Sequence, residues 1–251
     1  GTKIERLRKT IASLKVAPHF TRQYNRAVPR VARGFRRWKS IENLFVPSLA
    51  KKSAGMDQPE IDKVNLESPV TDLDQLFKQA DGVYPLLRAK TKAWAEASGG
   101  LLLRQEGTTK RYAPVSDPAP IKWAKLKRPV RAIEKVLRSY GGDASKLCDI
   151  CRQSIIFDDV AGMKKCVEAI KNDNLVAIVR VKNRLDPNYD SSLSLGYRDV
   201  AMNLRILSPE AWAIGVETHV CELQLILHEF AINKSDQGHK RYVEFRNARA
   251  E

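Results

Sequence analysis

The sequence predicts an α/β or α+β domain: a mixed sheet of about four to five strands flanked by helices, with an extended basic arm at the N-terminal end. Three observations carry this. From about residue 129 onward, helical and strand hydrophobic periods alternate. A hydrophobic fraction of 43% permits a real core. Charge is unevenly placed: residues 1–52 hold fourteen of the 44 Lys/Arg and only two acids, Glu5 and Glu42, whereas the remainder carries 30 against 27. Most of the net charge of +15 therefore belongs to the arm, and the rest is near-neutral.

Within the arm, Ile4, Leu7, Ile11 and Leu14 recur at helical spacing among Lys3, Arg6, Arg8, Lys9 and Lys15. This predicts a short basic amphipathic helix over 3–15, either packed on the domain or docked on a partner. Pro18, Pro29 and Pro47 then punctuate a segment with Arg22, Arg26, Arg30, Arg33, Arg36 and Arg37, interleaved with Phe20, Tyr24, Phe35 and Trp38. Like charges repel along such an arm, and arginine binds phosphate while both arginine and aromatics stack on bases. Residues 1–52 are therefore expected to dock on RNA or on an acidic protein surface. An Arg-rich, acid-poor start also has the composition of a transit peptide, which makes the mitochondrial or plastid matrix the expected compartment and the cytoplasm the alternative.

Residues 53–70 read as a polar linker, and 71–120 as a helical pair packing on the core. Thr71 is the expected N-cap of the first helix, whose stripe is Leu73, Leu76, Phe77 and Ala80. Asp81-Gly82 should break it. A second helix runs from Pro85 to Ser98 with Leu86, Leu87, Lys90 and Trp94, and Gly99-Gly100 supplies a left-handed cap. Residues 101–120 are short and mixed, closed by Pro114, Pro118 and Pro120. The main domain, 121–251, reads as helix 129–139, strand 148–157, helix 160–172, strands 175–184, 197–207 and 217–227, and helix 228–243.

Composition narrows the function classes. No run of about 18 apolar residues exists, so no membrane span is expected. Cys148-x-x-Cys151 is a lone pair, Cys166 and Cys221 are distant, and the four histidines (19, 219, 228, 239) add no zinc-ligand spacing. Buried free thiols are the expectation.

The strand over 217–227 alternates. His219, Cys221, Leu223 and Leu225 fall on one face, and Val220, Glu222, Gln224 and Ile226 on the other. Before it stands Gly196-Tyr197-Arg198-Asp199, and after it Gly238-His239-Lys240-Arg241-Tyr242. Upstream, Lys125-Leu126-Lys127-Arg128-Pro129-Val130-Arg131 leads into a helix with Lys135, and Cys148-Asp149-Ile150-Cys151-Arg152 opens a strand. Arg180, Lys182 and Arg184 alternate on another.

The order of these motifs, over roughly residues 120–246, resembles the synthetase domain of RelA/SpoT proteins. Those enzymes move pyrophosphate from ATP to the 3′ hydroxyl of a guanine nucleotide. The resemblance implies a nucleotidyltransferase-like fold, with Mg²⁺ and ATP as cofactors if the protein is active. By the same resemblance Glu222 is the carboxylate near metal and acceptor, Gln224 its orienting neighbour, and Asp149 the other metal carboxylate. Lys125, Lys127, Arg131 and Lys135 would hold ATP phosphates, with Arg152 and Lys182 beside them. Tyr197 would stack on the acceptor base, and His239 would support the site.

The chain departs from that family's pattern in two places. Asp199-Val200-Ala201 replaces Ser-x-His, and Leu193-Ser194-Leu195 replaces Lys-x-Asn. Two polar contacts to the acceptor are thereby changed, and Asp199 is expected to put negative charge near a phosphate site. No His-Asp dipeptide of the family's hydrolase domain occurs. Two functions follow. One is an accessory subunit of a large organellar assembly, a ribonucleoprotein such as a mitochondrial ribosome or an enzyme complex, docked by the arm and retaining purine-nucleotide binding. The other is an active Mg-dependent pyrophosphokinase or nucleotidyltransferase acting on a nucleotide or RNA acceptor.

Overall fold

The computed structural model of the chain describes residues 2–16, 22–26 and 64–233. Thr2 caps α1 (Lys3–Ala12), its hydroxyl accepting from the Glu5 amide at 3.2 Å. Leu7 and Leu14 are buried in the main core, so the apolar stripe of α1 faces the domain and not a partner. Gln23 and Tyr24 are buried as well, and β1 (Tyr24–Arg26) pairs antiparallel with β2 (Val64–Pro69). The expected linker thus contributes a strand, and these parts of the arm lie on their own domain. The side chain of Arg26, and all of Arg30, Arg33, Arg36, Arg37, Trp38 and His239, lie outside the described residues.

The expected helical pair is one helix, α2 (Leu73–Ser98), running through Gly82 and Pro85. Its N-cap is Asp72, not Thr71, with Oδ1 accepting from the Asp74 amide at 2.9 Å. Leu76, Ala80, Val83, Leu87, Trp94 and Ala95 form an unbroken buried stripe. Burial of that stripe outweighs the local cost of Gly and Pro, which is only a few kcal/mol (about 4) for the two together. Gly99, at φ 70°, ends α2 as expected. Next to it Gly100 packs so closely on the sheet that an added Cβ would overlap Ile155 Cγ2. The mixed stretch that follows is a hairpin, β3 (Leu102–Glu106) against β4 (Thr109–Ala113). Arg104 anchors its base, donating to the carbonyls of Pro114, Val115 and Ala119.

The remaining elements follow the expected order with shorter strands. They are α3 (Pro129–Tyr140), β5 (Arg152–Phe157), α4 (Val160–Lys171), β6 (Val176–Asn183), β7 (Val200–Ile206), α5 (Pro209–Ile214), β8 (Cys221–Leu227) and α6 (His228–Asn233). Of these α5 was not expected, and residues 234–243 of the expected last helix lie outside the described residues. Their strands make one mixed sheet in the order β5-β8-β7-β6, with β5 parallel to β8 and the other pairs antiparallel. One sheet face is covered by α4, α1 and the end of α2 through Ile155, Phe157, Met202, Leu204, Leu223 and Leu225. A second apolar cluster joins the first half of α2 to α3 and to Leu147, Ile150 and Ile206. Among the described residues no helix is long and apolar enough to cross a membrane. All four cysteines are free and buried.

Two expected strands start four residues late. Residues 148–151 and 217–220 are buried but stand outside the ladder, which begins at Arg152 and Cys221. The second of these segments carries His219 into the interior beneath α2. It is fully buried, with Nδ1 3.4 Å from Gln79 Oε1. Burial holds its imidazole neutral and lowers its pKa to about 3. The unfolded chain takes up that proton near pH 6.5, whereas the fold refuses it until about pH 3. The stabilisation is therefore complete above pH 6.5 and is lost as pH falls from there. Urea unfolding at pH 7, 6 and 5 should show stability falling more in the native chain than in His219→Gln, by about 0.7 kcal/mol from pH 7 to 6 and about 1.2 kcal/mol from pH 6 to 5. Parallel pH slopes would contradict this role of His219.

Candidate functional site

The sheet face opposite α4 is polar because of its register. Arg152 on β5 lies beside Glu222 on β8, Glu222 beside Asn203 on β7, and Asn203 beside Arg180 on β6. The next row on the same face is Ser154, Gln224, Ala201 and Lys182. Strand alternation requires both rows to share one side. Arg152, Glu222, Gln224 and Arg180 are half-buried, and Lys182 is exposed.

Asn203, which the sequence reading passed over, is the hub of this face. Its Oδ1 accepts from Arg180 Nε (3.0 Å) and Nη2 (2.8 Å), and its Nδ2 donates to the carbonyls of Cys148 (3.2 Å) and Cys221 (3.3 Å). A lone amide in the apolar run Val200-Ala201-Met202-Asn203-Leu204 was the available signal.

The basic stretch reaches this face along a fixed path. The Lys122 amide donates to the Leu103 carbonyl, the Gln153 side chain bonds both amide and carbonyl of Ala124, and the Lys127 amide donates to the Ile150 carbonyl. Pro129 then starts α3. As a result Lys127 and Lys135 both donate to Asp149 Oδ2, at 2.9 and 3.0 Å. The other oxygen, Asp149 Oδ1, is buried and has no hydrogen-bond partner. These two lysines are the counter-ions of this carboxylate. Arg131 instead pairs with Glu134 on its own helix at 2.8 Å, and Lys125 is exposed.

Burial opposes the ionisation of Asp149, but the charges and hydrogen bonds of Lys135 and Lys127 outweigh it and hold its pKa at about 2. The two lysines respond differently. Burial dominates at Lys127 and lowers its pKa, whereas at Lys135 the attraction of Asp149 and Tyr140 overcomes burial and raises it. Glu222 moves the other way from Asp149: burial raises its pKa, and the Asp149 charge adds to the rise against Arg152 and Lys135. Two nearby carboxyls are thus driven apart in acidity. Although Lys182 is largely exposed, partial desolvation on the face and the nearby charges of Arg180, Arg184 and Lys135 lower its pKa.

At the far end of the face Asp199 is completely buried. Arg184 Nη1 donates to its Oδ1, and the Tyr197 hydroxyl donates to Oδ2 at 3.1 Å. The expected free negative charge near phosphate is therefore neutralised in place. Burial and the Asp199 charge push the Tyr197 hydroxyl pKa upward, while its ring packs on Ile156, Ile226 and Ala231. The connection before it turns through Leu195 (φ 51°) and Gly196 (φ 77°). Arg198 secures it by donating to the carbonyls of Arg184, Asp186 and Tyr189. Of the expected arm contacts, Arg22 is described and pairs with Asp143 at 2.9 Å.

Among the described residues no group of three or more His, Cys, Asp or Glu is arranged to hold a metal alone. A Mg²⁺ ion shared with substrate phosphates needs only one or two protein carboxylates. The unpartnered Asp149 Oδ1, with Glu222 close by, fits that requirement.

No family model matches the chain, and no curated protein matches it. Several solved structures are similar to it. Small alarmone synthetase 1 of Bacillus subtilis, bound to its product pppGpp, aligns at 16% identity with a TM-score of 0.48, covering 70% of this chain and 87% of that one. Small alarmone synthetase 2 of the same organism aligns at 17% identity and 0.47, covering 69% and 81%. A GTP pyrophosphokinase family protein of Streptococcus pneumoniae aligns at 14% and 0.40, covering 66% and 73%.

The lysine pair around Asp149 sets a second acid sensitivity. A carboxyl that ionises near pH 2 in the fold and near 3.8 in the unfolded chain stabilises the fold fully above about pH 4. That contribution, about 2 kcal/mol, is lost as pH falls from 4 to 2. Asp149→Asn should be less stable at pH 7 and show a flatter acid limb below pH 4 in thermal unfolding. An unchanged limb would mean that the pairs do not hold the charge.

Proposed function

We propose that the polar sheet face binds a Mg²⁺–nucleoside triphosphate and that the protein transfers a pyrophosphoryl or nucleotidyl group from ATP to a hydroxyl of a nucleotide or RNA acceptor. The observation that carries this reading is Asp149: one oxygen is saturated by two lysines, and the other is buried, unpartnered and close to Glu222. An anion site needs cations, and Lys127, Lys135, Arg152 and Lys182 supply them around that pair. When bound, Mg²⁺ would neutralise charge on the phosphate oxygens. Asp149 and Glu222 would hold it.

In the transfer, the acceptor oxygen bonds to phosphorus as the bridging oxygen of the leaving group departs, and the acceptor proton goes to Glu222. Burial raises the pKa of Glu222 from its ordinary value, which favours proton uptake. Gln224, two residues along the same face, orients the acceptor.

A second reading is favoured by the far end of the face. Tyr197 and Asp199 are tied to one another and to Arg184, where the family resemblance would place acceptor contacts. In that reading the fold serves as an accessory subunit of an organellar ribonucleoprotein or enzyme complex and retains purine-nucleotide binding. The positive charge of residues 1–52 meets RNA or acidic protein, without using the apolar face of α1, which is buried.

One incubation separates the readings: purified protein, Mg²⁺, labelled ATP, and a panel of GDP, GTP, ADP, ATP and short RNAs. A pyrophosphorylated or nucleotidylated product is expected, falling at least 100-fold in Glu222→Gln while melting stays within a few degrees. No product across the panel would sink the transferase reading. RNA docking by the arm should weaken about tenfold or more between 50 and 200 mM salt, and salt-independent binding would reject it.

A further inference from the structure

We infer that Gln23 is a positioning residue that sets the spacing of the Asp149 and Glu222 carboxylates, an inference that rests on reading the polar face as a Mg²⁺–nucleotide site. Gln23 belongs to the basic arm, yet it is completely buried. Its side-chain amide donates to the Leu147 carbonyl and the Val220 carbonyl, both at 2.9 Å, and its Oε1 accepts from the Val220 amide at 2.7 Å. Its own backbone is held too, the amide donating to the Ser145 carbonyl at 2.8 Å and the carbonyl accepting from Val70 at 3.0 Å.

The places it joins are informative. Leu147 lies two residues before Asp149, and Val220 two residues before Glu222. The β5–β8 ladder starts only at Arg152 and Glu222, with the Glu222 amide donating to the Cys151 carbonyl at 3.0 Å. Upstream of that bond the Gln23 amide bridges the two segments. Asn203 makes a similar bridge one residue further on, between the carbonyls of Cys148 and Cys221. Two side-chain amides therefore fix how far apart the two acid-bearing segments run.

An amide is required for this, since only it offers two N–H donors and an acceptor at one point. A carboxylate would lack both donors and would set charge against two carbonyl oxygens. A methionine would keep the volume and lose all three side-chain bonds.

The test compares the full chain with Gln23→Met and with Leu7→Ala, a destabilised control in the α1 contact. Two readouts are taken: backbone amide ¹H–¹⁵N shifts over residues 147–149 and 220–222 without metal, and Mn²⁺ affinity by electron paramagnetic resonance in the presence of a non-hydrolysable ATP analogue. Gln23→Met is expected to shift the amides of both segments and to weaken Mn²⁺ binding at least tenfold, with neither change in Leu7→Ala. Unaltered amide shifts in Gln23→Met, or equal changes in both variants, overturn the inference. Shifted amides with native Mn²⁺ affinity also overturn it, because the brace would then not set the metal carboxylates. If the native chain binds no Mn²⁺, the reading of the face fails by itself, and the amide shifts alone decide whether Gln23 holds the two segments.

Discussion

Everything on the polar face follows from the need to keep charge on a sheet that is covered by helices on one side and half-buried on the other. β8 lies inside the sheet, with β5 and β7 as neighbours and helices behind it. Its rear side chains can be apolar without cost. Its front side chains, Glu222 and Gln224, cannot be left without polar neighbours, because removing a charge from water costs several kcal/mol unless it is compensated. The neighbouring strands answer with Arg152, Asn203 and Arg180, and the segment before β5 answers with Asp149 and its two lysines.

That compensation is incomplete in an informative way. Two cations on the face have partners within the chain: Arg180 donates to the neutral Asn203 amide oxygen, and Arg184 pairs with Asp199. What stays unmatched is concentrated around Asp149 Oδ1 and Glu222, where one carboxyl is held strongly ionised and the other is raised by burial. Arg104 Nε and His219 Nε2 are buried and open as well, so what sets Asp149 apart is the open oxygen together with the two lysines and Glu222 around it.

The parts of this arrangement that depend on period were legible in the sequence. Alternation placed Glu222 and Gln224 together, and helical spacing found α1, α3 and α4. The Gly99 cap was legible from chemistry alone. What failed depended on tertiary burial. Gly82 and Pro85 look like breakers locally, but the core beneath α2 keeps the helix whole. Residues 148–151 and 217–220 have strand-like composition, but they enter the core without ladder partners. Asp199 read as an exposed charge because nothing in a linear pattern reveals that Arg184, fifteen residues earlier, closes over it. Gln23 was invisible for the same reason, with its partners 124 and 197 residues away.

The connection between β6 and β7 is held mainly through backbone atoms. Arg198 grips three carbonyl groups, which every amino acid possesses, and the side chains of Asp186, Asp190 and Ser194 also bond to backbone atoms of the same loop. The side chain of the exposed Leu193 takes no part in these bonds, so the course of the loop would survive its replacement.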